Sequence, residues 1–182
     1  MNKRIISALI IVFFPAAIIA QESTSEVYDI VDAKLGATKN VHRIGDLWLA
    51  GQFGQTDLEL IKDKGIKRII TLRTKGEIDW DEKKAVEDAG LKYVEVPFRS
   101  PESLTNEVFD KIRKLLKDKK NPTLFHCGSA NRVGAVWLPF RVLDEKVNLG
   151  KAMEEAKTIG LRTQSIKRKA LDYIKEQQNS ND

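Results

Sequence analysis

The sequence predicts a single α/β domain whose central, mostly parallel sheet is flanked by helices. Short apolar segments rich in valine and isoleucine alternate with segments whose apolar residues have helical spacing. From residue 66 onward, each strand-like segment is separated from the next by a helix-like one, which is the order that parallel strands require. The chain shows no internal repeat or long linker, so one domain accounts for the part that follows an N-terminal leader.

The first half of the domain is divided by glycines that follow helix-like segments and by a turn between two short apolar runs. Alternating apolar residues indicate strands, whereas apolar residues three or four positions apart indicate helices. The predicted elements are a hairpin over 41–50 with its turn at Gly45-Asp46, a helix capped by Thr56 and ended by Gly65, a strand over 66–72, a helix over 79–89 and a strand over 91–96.

The second half contains one short strand between two longer helical segments. Pro139 lies inside the helix that follows this strand, where a proline is expected to kink it. The predicted elements are a helix capped by Thr105 and continuing to Leu116, a strand over 122–125, a helix over 133–143, and a C-terminal pair of helices over 152–157 and 165–177.

The N-terminus has the pattern of a secretory signal peptide. Lys3 and Arg4 precede an uncharged apolar run that contains Pro15 and ends at Ala20. This run is shorter than the ~20 residues that cross a bilayer, so we expect cleavage after Ala20 and no stable membrane insertion afterwards. The predicted organisation is a signal peptide over 1–20, a loosely structured lead-in over 21–40 and a folded domain over 41–178, in the periplasm or secreted.

The charge balance of the domain is mild. Residues 1–20 carry two basic and no acidic residues, so their removal lowers the formal net charge from +5 to +3. This excess does not indicate a nucleic-acid partner, and the basic run Lys167-Arg168-Lys169 is typical of a solvated helix face. His42 is isolated from other ligand-type residues in the sequence, so the pattern predicts no metal site and no cofactor.

The segment from His126 to Gly134 contains the most distinctive chemistry of the chain. Cys127 is the only cysteine, so it has no partner for an internal disulfide. It lies between a predicted strand and the start of a predicted helix, where unpaired N–H groups and the helix dipole stabilise a thiolate. The small residues at 128–130 allow the loop to turn its amides toward an oxyanion, and Arg132 adds a planar fork for two oxygens.

These residues resemble the protein tyrosine and dual-specificity phosphatase superfamily, and more specifically a small bacterial branch similar to the β-lactamase-hydrolase-like phosphatases. The resemblance covers roughly residues 45–175. It is carried by the His-Cys start and Arg-Val-Gly end of the loop together with further matching segments. Those segments are Leu49-Ala50-Gly51-Gln52, the run from Gly65 to Arg73 with Glu77, Gly90 to Val94 leading to Val96-Pro97, and Glu155-Ala156-Lys157 leading to Gly160-Leu161.

The resemblance implies a nucleophile and a phosphate cradle. By it, Cys127 attacks phosphorus to form a phosphocysteine, and His126 orients the loop. Arg73 and Glu77 follow the end of a predicted strand, so they either face the same pocket or form a structural ion pair. The implied substrate is a phosphorylated protein or a small phosphoester. The residues predicted to bind phosphate are Gly128, Ser129, Ala130, Asn131 and Arg132.

The chain departs from the superfamily pattern in three places. Four residues separate Cys127 from Arg132, where most members have five. Val133 occupies the position of a serine or threonine that assists release of the thiolate. Ser129 either takes over this role or is a loop-capping hydroxyl. The loop over 97–103, after the 91–96 strand, contains no aspartate, so Glu102 is the nearest candidate general acid, and Asp79 and Asp81 could approach from another loop.

Two alternatives to a phosphatase remain open at this level. Rhodanese-type sulfurtransferases also have four residues in the loop and carry a persulfide on the cysteine. A non-catalytic oxyanion-binding module is the other alternative, since the chain offers no obvious acid. Ala130 adds a structural expectation: a positive φ at this position would cost on the order of 1 kcal/mol.

Overall fold

A computed structural model describes residues 29–180, which form a mixed sheet with helices on both faces. The signal peptide predicted over 1–20 lies outside the described residues. The strands are β1 (Val31–Asp32), β2 (His42–Ile44), β3 (Leu47–Ala50), β4 (Arg68–Thr71), β5 (Lys92–Glu95) and β6 (Thr123–His126). The helices are α1 (Leu58–Asp63), α2 (Glu82–Asp88), α3 (Asn106–Lys117), α4 (Asn131–Leu143), α5 (Leu149–Ile159) and α6 (Gln164–Asn179).

The sheet has the order β1-β2-β3-β6-β4-β5. Strands β3, β6, β4 and β5 are parallel neighbours, whereas β1 and β2 extend the β3 edge in antiparallel pairing. Strand β6 is therefore central, with His126 opposite Ala50 of β3 and opposite Thr71 of β4. The carboxyl ends of three parallel strands meet here, which is where open α/β sheets place their ligands.

The core consists of two apolar layers, one on each face of the sheet. Successive strand residues alternate between the layers, as Leu124 and Phe125 of β6 do. One layer contains the buried faces of α3, α4, α5 and α6, and the other contains those of α1 and α2. The predicted α/β class with a mostly parallel central sheet is confirmed.

Most local predictions are confirmed, with shifts at the helix ends. The hairpin over 41–50 forms as β2 and β3, and Gly65 and Gly90 end α1 and α2 at positive φ. Thr56 does not cap α1: it lies inside a short 3-10 turn, Gln55–Asp57, and Asp57 occupies the cap position. Helix α2 begins later than predicted because Asp81 caps it, accepting a hydrogen bond from the backbone N of Lys84 at 3.0 Å.

The sheet also includes a strand that lies before residue 41. Val31 and Asp32 pair with Arg43 and His42, and Leu35 is buried in the α1/α2 layer. Part of the predicted lead-in over 21–40 is thus integrated into the fold.

Helix α4 runs through Pro139 and is buried along most of its length. Gly134 explains its close approach to α5, since a Cβ at this position would lie 2.5 Å from the carbonyl oxygen of Ala156 and 2.9 Å from the backbone N of Leu161. The glycine of the Arg-Val-Gly sequence thus has a packing role. None of the described helices is long and apolar enough to span a membrane.

Candidate active site

Cys127 lies at the seam between strand β6 and helix α4. Its backbone N donates to the carbonyl oxygen of Ala50 at 3.4 Å, which extends the β3–β6 pairing by one residue. The side chain is free, in that it forms no disulfide, and the residue is only 1% exposed. The thiol is therefore at the base of the loop rather than on its rim.

The loop that follows Cys127 is held from the β3 side. Ser129 pairs with Gly51 in an isolated bridge, and the backbone N of Gln52 donates to the carbonyl oxygen of Gly128 at 3.2 Å. Asn40 adds a side-chain hydrogen bond to the carbonyl oxygen of Ser129 at 3.0 Å. These contacts fix the loop backbone against the segment that follows β3.

Ala130 completes the turn in the left-handed region, with φ of +62° and ψ of −1°. A non-glycine residue here costs about 1–2 kcal/mol, and such strain is typical of sites that aim backbone groups at a ligand. Helix α4 begins directly after it, so the first N–H groups of the helix have no intrahelical acceptor. The loop and the helix start together form an anion cradle above Cys127.

Asn131 ties the cradle to the connection between α5 and α6. Its Oδ1 accepts from the backbone N of Arg162 at 2.8 Å and of Thr163 at 3.2 Å, and its Nδ2 donates to Thr163 Oγ1 at 2.9 Å. All the hydrogen-bonding groups of this amide are thereby engaged in bracing.

Arg132 curls beneath the loop. Its Nη1 donates to the carbonyl oxygens of Leu72 and Phe98 at 3.0 and 2.9 Å, which connects the ends of β4 and of the segment after β5. Its two Nη atoms also bind both carboxylate oxygens of Glu77, at 2.8 and 2.5 Å. A Cβ built on Gly128 would lie 3.7 Å from Nη2, so the guanidinium lies close to the loop over 128–130.

The Glu77–Arg132 pair keeps both groups charged. Burial raises the pKa of Glu77, but hydrogen bonds from Arg132 and Thr74 outweigh this effect and lower the pKa from 4.5 to about 2. Burial lowers the pKa of Arg132, but the hydrogen bonds and charges of Glu77 and Cys127 outweigh this effect, so the pKa of Arg132 is raised. The arginine is therefore a permanent cation that interacts electrostatically with the cysteine.

His126 is fully buried behind Cys127 beside the carboxylate of Glu82. The Nε2 atom lies 2.9 Å from Glu82 Oε1. Arg73 reaches the same carboxylate, since its Nη1 donates to Glu82 Oε2 at 2.8 Å. Glu77 binds Arg132 of the cysteine loop. Arg73 binds Glu82 instead, and its Nε lies 4.0 Å from Oε2 of Glu77.

Glu102 lies on an exposed 3-10 turn, Pro101–Ser103. A hydrogen bond with the side chain of Ser100 lowers the pKa of Glu102, so the carboxylate is ionised at neutral pH and holds no proton to donate. Asp81 is engaged as the cap of α2, and Asp79 is exposed. None of the three carboxyl groups proposed from the sequence, Glu102, Asp79 and Asp81, is thus held in the structure with a proton to donate.

The hydroxyl of Ser129 meets a residue that the motif does not include. Its Oγ accepts from Arg162 Nη2 at 2.7 Å, which places a second, exposed guanidinium beside the cradle. Val133, which follows Arg132, is fully buried in the core. Ser129 is therefore the hydroxyl of the loop, and Arg162 orients it.

Sequence reasoning missed Arg162, Glu82, Gln52 and Tyr93. Arg162 lies in a connection between helices that has no catalytic motif, and Glu82 has the appearance of an ordinary acidic residue in a first helical turn. Two segments of the resemblance were available signals: Leu49-Ala50-Gly51-Gln52 ends on the glutamine that contacts Glu82 at 2.7 Å, and the segment from Gly90 to Val94 contains Tyr93.

A cavity of about 910 Å³ lies at the other end of the sheet, away from Cys127. Its lining includes Asp46, Arg68 and Thr123, which mark the amino ends of β3, β4 and β6. The charged side chains that line this cavity are largely paired with one another, as Arg68 is with Asp118 at 2.8 Å. They are therefore less available to a ligand than the groups around Cys127. Within residues 29–180, no group of three or more ligand-type side chains converges as a metal site would require.

Comparison with solved structures identifies the fold. The chain is similar to TpbA of P. aeruginosa, in a cysteine-to-serine variant bound to phosphotyrosine, with 15% identity over 84% of this chain and 91% of that one and a TM-score of 0.64. It is similar to the core catalytic domain of the PP-IP phosphatase SIW14 of S. cerevisiae in complex with citrate, with 17% identity, 79% and 93% coverage and a TM-score of 0.63.

A third similar structure is a mutant form of Tk-PTP, with 14% identity over 74% of this chain and 93% of that one and a TM-score of 0.64. No protein-family model matches the chain, and comparison with curated protein sequences gives no match. The likeness therefore lies in the fold, which this chain shares with TpbA, SIW14 and Tk-PTP.

The Glu77–Arg132 pair predicts a specific dependence of stability on pH. Because the pKa of Glu77 is lowered in the folded chain, its contribution is complete above about pH 4.5 and is lost as the pH falls toward 2. Glu77→Gln should lower the free energy of unfolding by about 1–3 kcal/mol at neutral pH, and the difference from the unsubstituted chain should shrink in acid.

Denaturant unfolding at neutral and acid pH checks this expectation. The matched control is Glu59→Gln on the exposed side of α1, which should change stability by less than about 0.5 kcal/mol at either pH. A difference for Glu77→Gln that stays constant down to the lowest pH would contradict the assignment.

Proposed function

We propose that this protein is a phosphoric monoester hydrolase of the protein-tyrosine and dual-specificity type, with Cys127 as its nucleophile. The observation that carries the proposal is the position of Cys127 at the start of α4, where Glu77 holds the guanidinium of Arg132 against the same loop. Coarse support comes from the fold, which is that of cysteine phosphatases. The arrangement combines an activated nucleophile with preorganised anion binding.

The proposed reaction has two displacements at phosphorus. The Cys127 thiolate attacks the phosphorus atom, a sulfur–phosphorus bond forms, and the ester oxygen leaves with the electron pair of the broken phosphorus–oxygen bond. Water then attacks the phosphocysteine, loses a proton to solvent, and the sulfur–phosphorus bond breaks. Inorganic phosphate leaves, and the thiolate is restored.

Arg132 and the loop amides stabilise the charge on the three equatorial oxygens of the transferred group. Phosphoryl transfer requires little more than positioning and electrostatic stabilisation, so a rigid cradle supplies most of the catalysis. Arg132 is suited to this role because its contacts with Glu77, Leu72 and Phe98 hold it in place before substrate binds. We infer that the hydroxyl of Ser129 assists release of the thiolate, because Val133 offers none.

We infer that the substrate is a phosphoester with a good leaving group, such as a phosphotyrosine side chain or a small aryl phosphate. Glu102 is ionised and exposed, so no carboxyl group protonates the leaving oxygen in this mechanism. Phosphotyrosine bound to TpbA is consistent with such a substrate. The exposed guanidinium of Arg162 beside the cradle favours dianionic phosphate.

We further infer that the protein is exported, because Lys3 and Arg4 precede an apolar run that ends at Ala20. Expression of the full chain in a bacterial host should place it in the periplasm or medium, with Gln21 as its first residue by intact mass. Recovery of the uncleaved chain from the cytoplasm would contradict export.

The nucleophile is tested by Cys127→Ser. Hydrolysis of p-nitrophenyl phosphate should fall by about 10³-fold or more, because a serine hydroxyl is not ionised at neutral pH. A chelator should leave turnover by the unsubstituted chain unchanged. Phosphate release that survives the substitution would exclude the mechanism. A persulfide on Cys127 after thiosulfate treatment, without phosphatase turnover, would indicate the sulfurtransferase alternative.

The absence of a general acid from the mechanism is tested by comparing leaving groups. The kcat/KM for aryl phosphates, which reports the step in which the leaving group departs, should exceed that for alkyl phosphates by about 10²–10⁴-fold, since positioned proton transfer typically contributes that factor. Glu102→Gln should change kcat for either class by less than about 3-fold, whereas a large loss confined to alkyl phosphates would identify Glu102 as the acid after all.

A further inference from the structure

Behind the cysteine loop lies a buried polar cluster centred on the carboxylate of Glu82. This residue begins α2 and is only 4% exposed. Its Oε2 accepts from Gln52 Nε2 at 2.7 Å and from Arg73 Nη1 at 2.8 Å, and its Oε1 accepts from the hydroxyl of Tyr93 at 3.0 Å. Segments after β3 and β4, strand β5 and helix α2 thus converge on one carboxylate.

The fifth member of the cluster is His126, the residue that precedes the proposed nucleophile. Its Nε2 lies 2.9 Å from Glu82 Oε1 without the alignment of a hydrogen bond, and Nδ1 has no partner among the residues that the structure describes. The ring of Phe53 packs edge-on against the imidazole, with centroids 5.0 Å apart. The contact with Glu82 is therefore electrostatic, and it is the one charged contact that the imidazole makes.

The cluster continues to the opposite end of the loop. Arg73 Nη1 also donates to Gln52 Oε1 at 2.6 Å, and Arg73 Nε lies 4.0 Å from Oε2 of Glu77. Glu77 in turn binds Arg132 through both carboxylate oxygens. Acidic and basic groups alternate without a break from His126, through Glu82, Arg73 and Glu77, to Arg132.

Stability alone does not account for this arrangement. Burial of an ion costs several kcal/mol even after relaxation, and apolar residues of similar size often serve as well as a buried pair. Burial raises the pKa of Glu82, and the contacts with His126, Gln52 and Arg73 outweigh it and lower the pKa, so the carboxylate remains charged. A charged group is thus maintained directly behind the cysteine loop.

We propose that Glu82 and Arg73 are positioning residues of the cysteine loop, which they hold from both ends through His126 and through the Glu77–Arg132 pair. The charged group in contact with His126 is Glu82 on α2, and Cys127 is its neighbour in the chain. Arg73 after β4 and Tyr93 on β5 bind the same carboxylate. In this arrangement Glu82 acts on the nucleophile through the imidazole. The proposal rests on the proposed function, because it assigns these residues a role in the same site.

The test replaces the charge and keeps the shape, with Glu82→Gln. Thiolate absorbance in the ultraviolet at neutral pH, taken against Cys127→Ser as the blank, reports on one group because the chain has one cysteine. We expect the thiolate signal to fall and kcat for p-nitrophenyl phosphate to drop by about 2- to 30-fold, the usual range for residues that act through a network. The absorbance readout needs no turnover, so failure of this proposal and failure of the phosphatase assignment can be told apart.

The matched control is Glu155→Gln. Glu155 is also a buried carboxylate, bound to Arg141 and to the indole N–H of Trp137, but it joins α4 to α5 away from the loop. The Glu155→Gln substitution should lower the free energy of unfolding without changing the thiolate signal. An equal loss of thiolate absorbance in both variants would show that Glu82 has only a structural role, and it would overturn the proposal.

Tyr93→Phe keeps the test decisive if Glu82→Gln folds poorly, and a double variant tests the route if it folds. Tyr93→Phe removes one hydrogen bond to Glu82 and should reduce kcat in the same direction by a smaller factor. In a His126→Asn background, Glu82→Gln should have little additional effect on the thiolate signal, because its action passes through the imidazole. Fully additive effects in the double variant would contradict that route.

Discussion

The bidentate ion pair between Glu77 and Arg132 is the interaction on which the site depends. It joins a residue after β4 to the second residue of α4 and fixes the guanidinium below the loop that carries Cys127. A free arginine side chain has many rotamers, and ordering it when substrate binds would cost binding energy. Because Glu77, Leu72 and Phe98 order it in advance, the cradle is complete before an anion arrives.

The short loop is accommodated by backbone strain rather than by a change of fold. Ala130 takes the left-handed conformation, and Gly160 leaves room for it, since a Cβ built there would lie 3.3 Å from the Ala130 Cβ. Asn131 and the Gly51–Ser129 bridge hold the strained turn from two sides. Strain supported in this way is typical of a site that is preorganised for a ligand.

Much of the fold could be predicted because its signals are local. The β-branched run before Leu72 and the glycine that ends each early helix specify β4, α1 and α2 within a few residues. The strand–loop–helix around Cys127 was equally visible. In contrast, β1 has two residues and exists only through its pairing with β2, which no local pattern encodes.

The supporting side chains of the site could not be predicted for the same reason. An acidic residue in the first turn of a helix has the same sequence pattern whether it faces water, as Glu107 of α3 does, or is buried on an arginine, as Glu82 is. Only the tertiary arrangement of β4, β5 and β6 brings Arg73, Tyr93 and His126 onto that carboxylate. The motif predicts the reacting groups, and the sheet determines what surrounds them.

The central claim is that phosphorus passes through the sulfur of Cys127. Rapid quenching of the protein during turnover of an aryl phosphate, followed by mass spectrometry of the peptide that contains this residue, tests it most directly. The account predicts one phosphoryl group on Cys127 that disappears as substrate is exhausted. Steady release of phosphate with that peptide unmodified at every time point would contradict it.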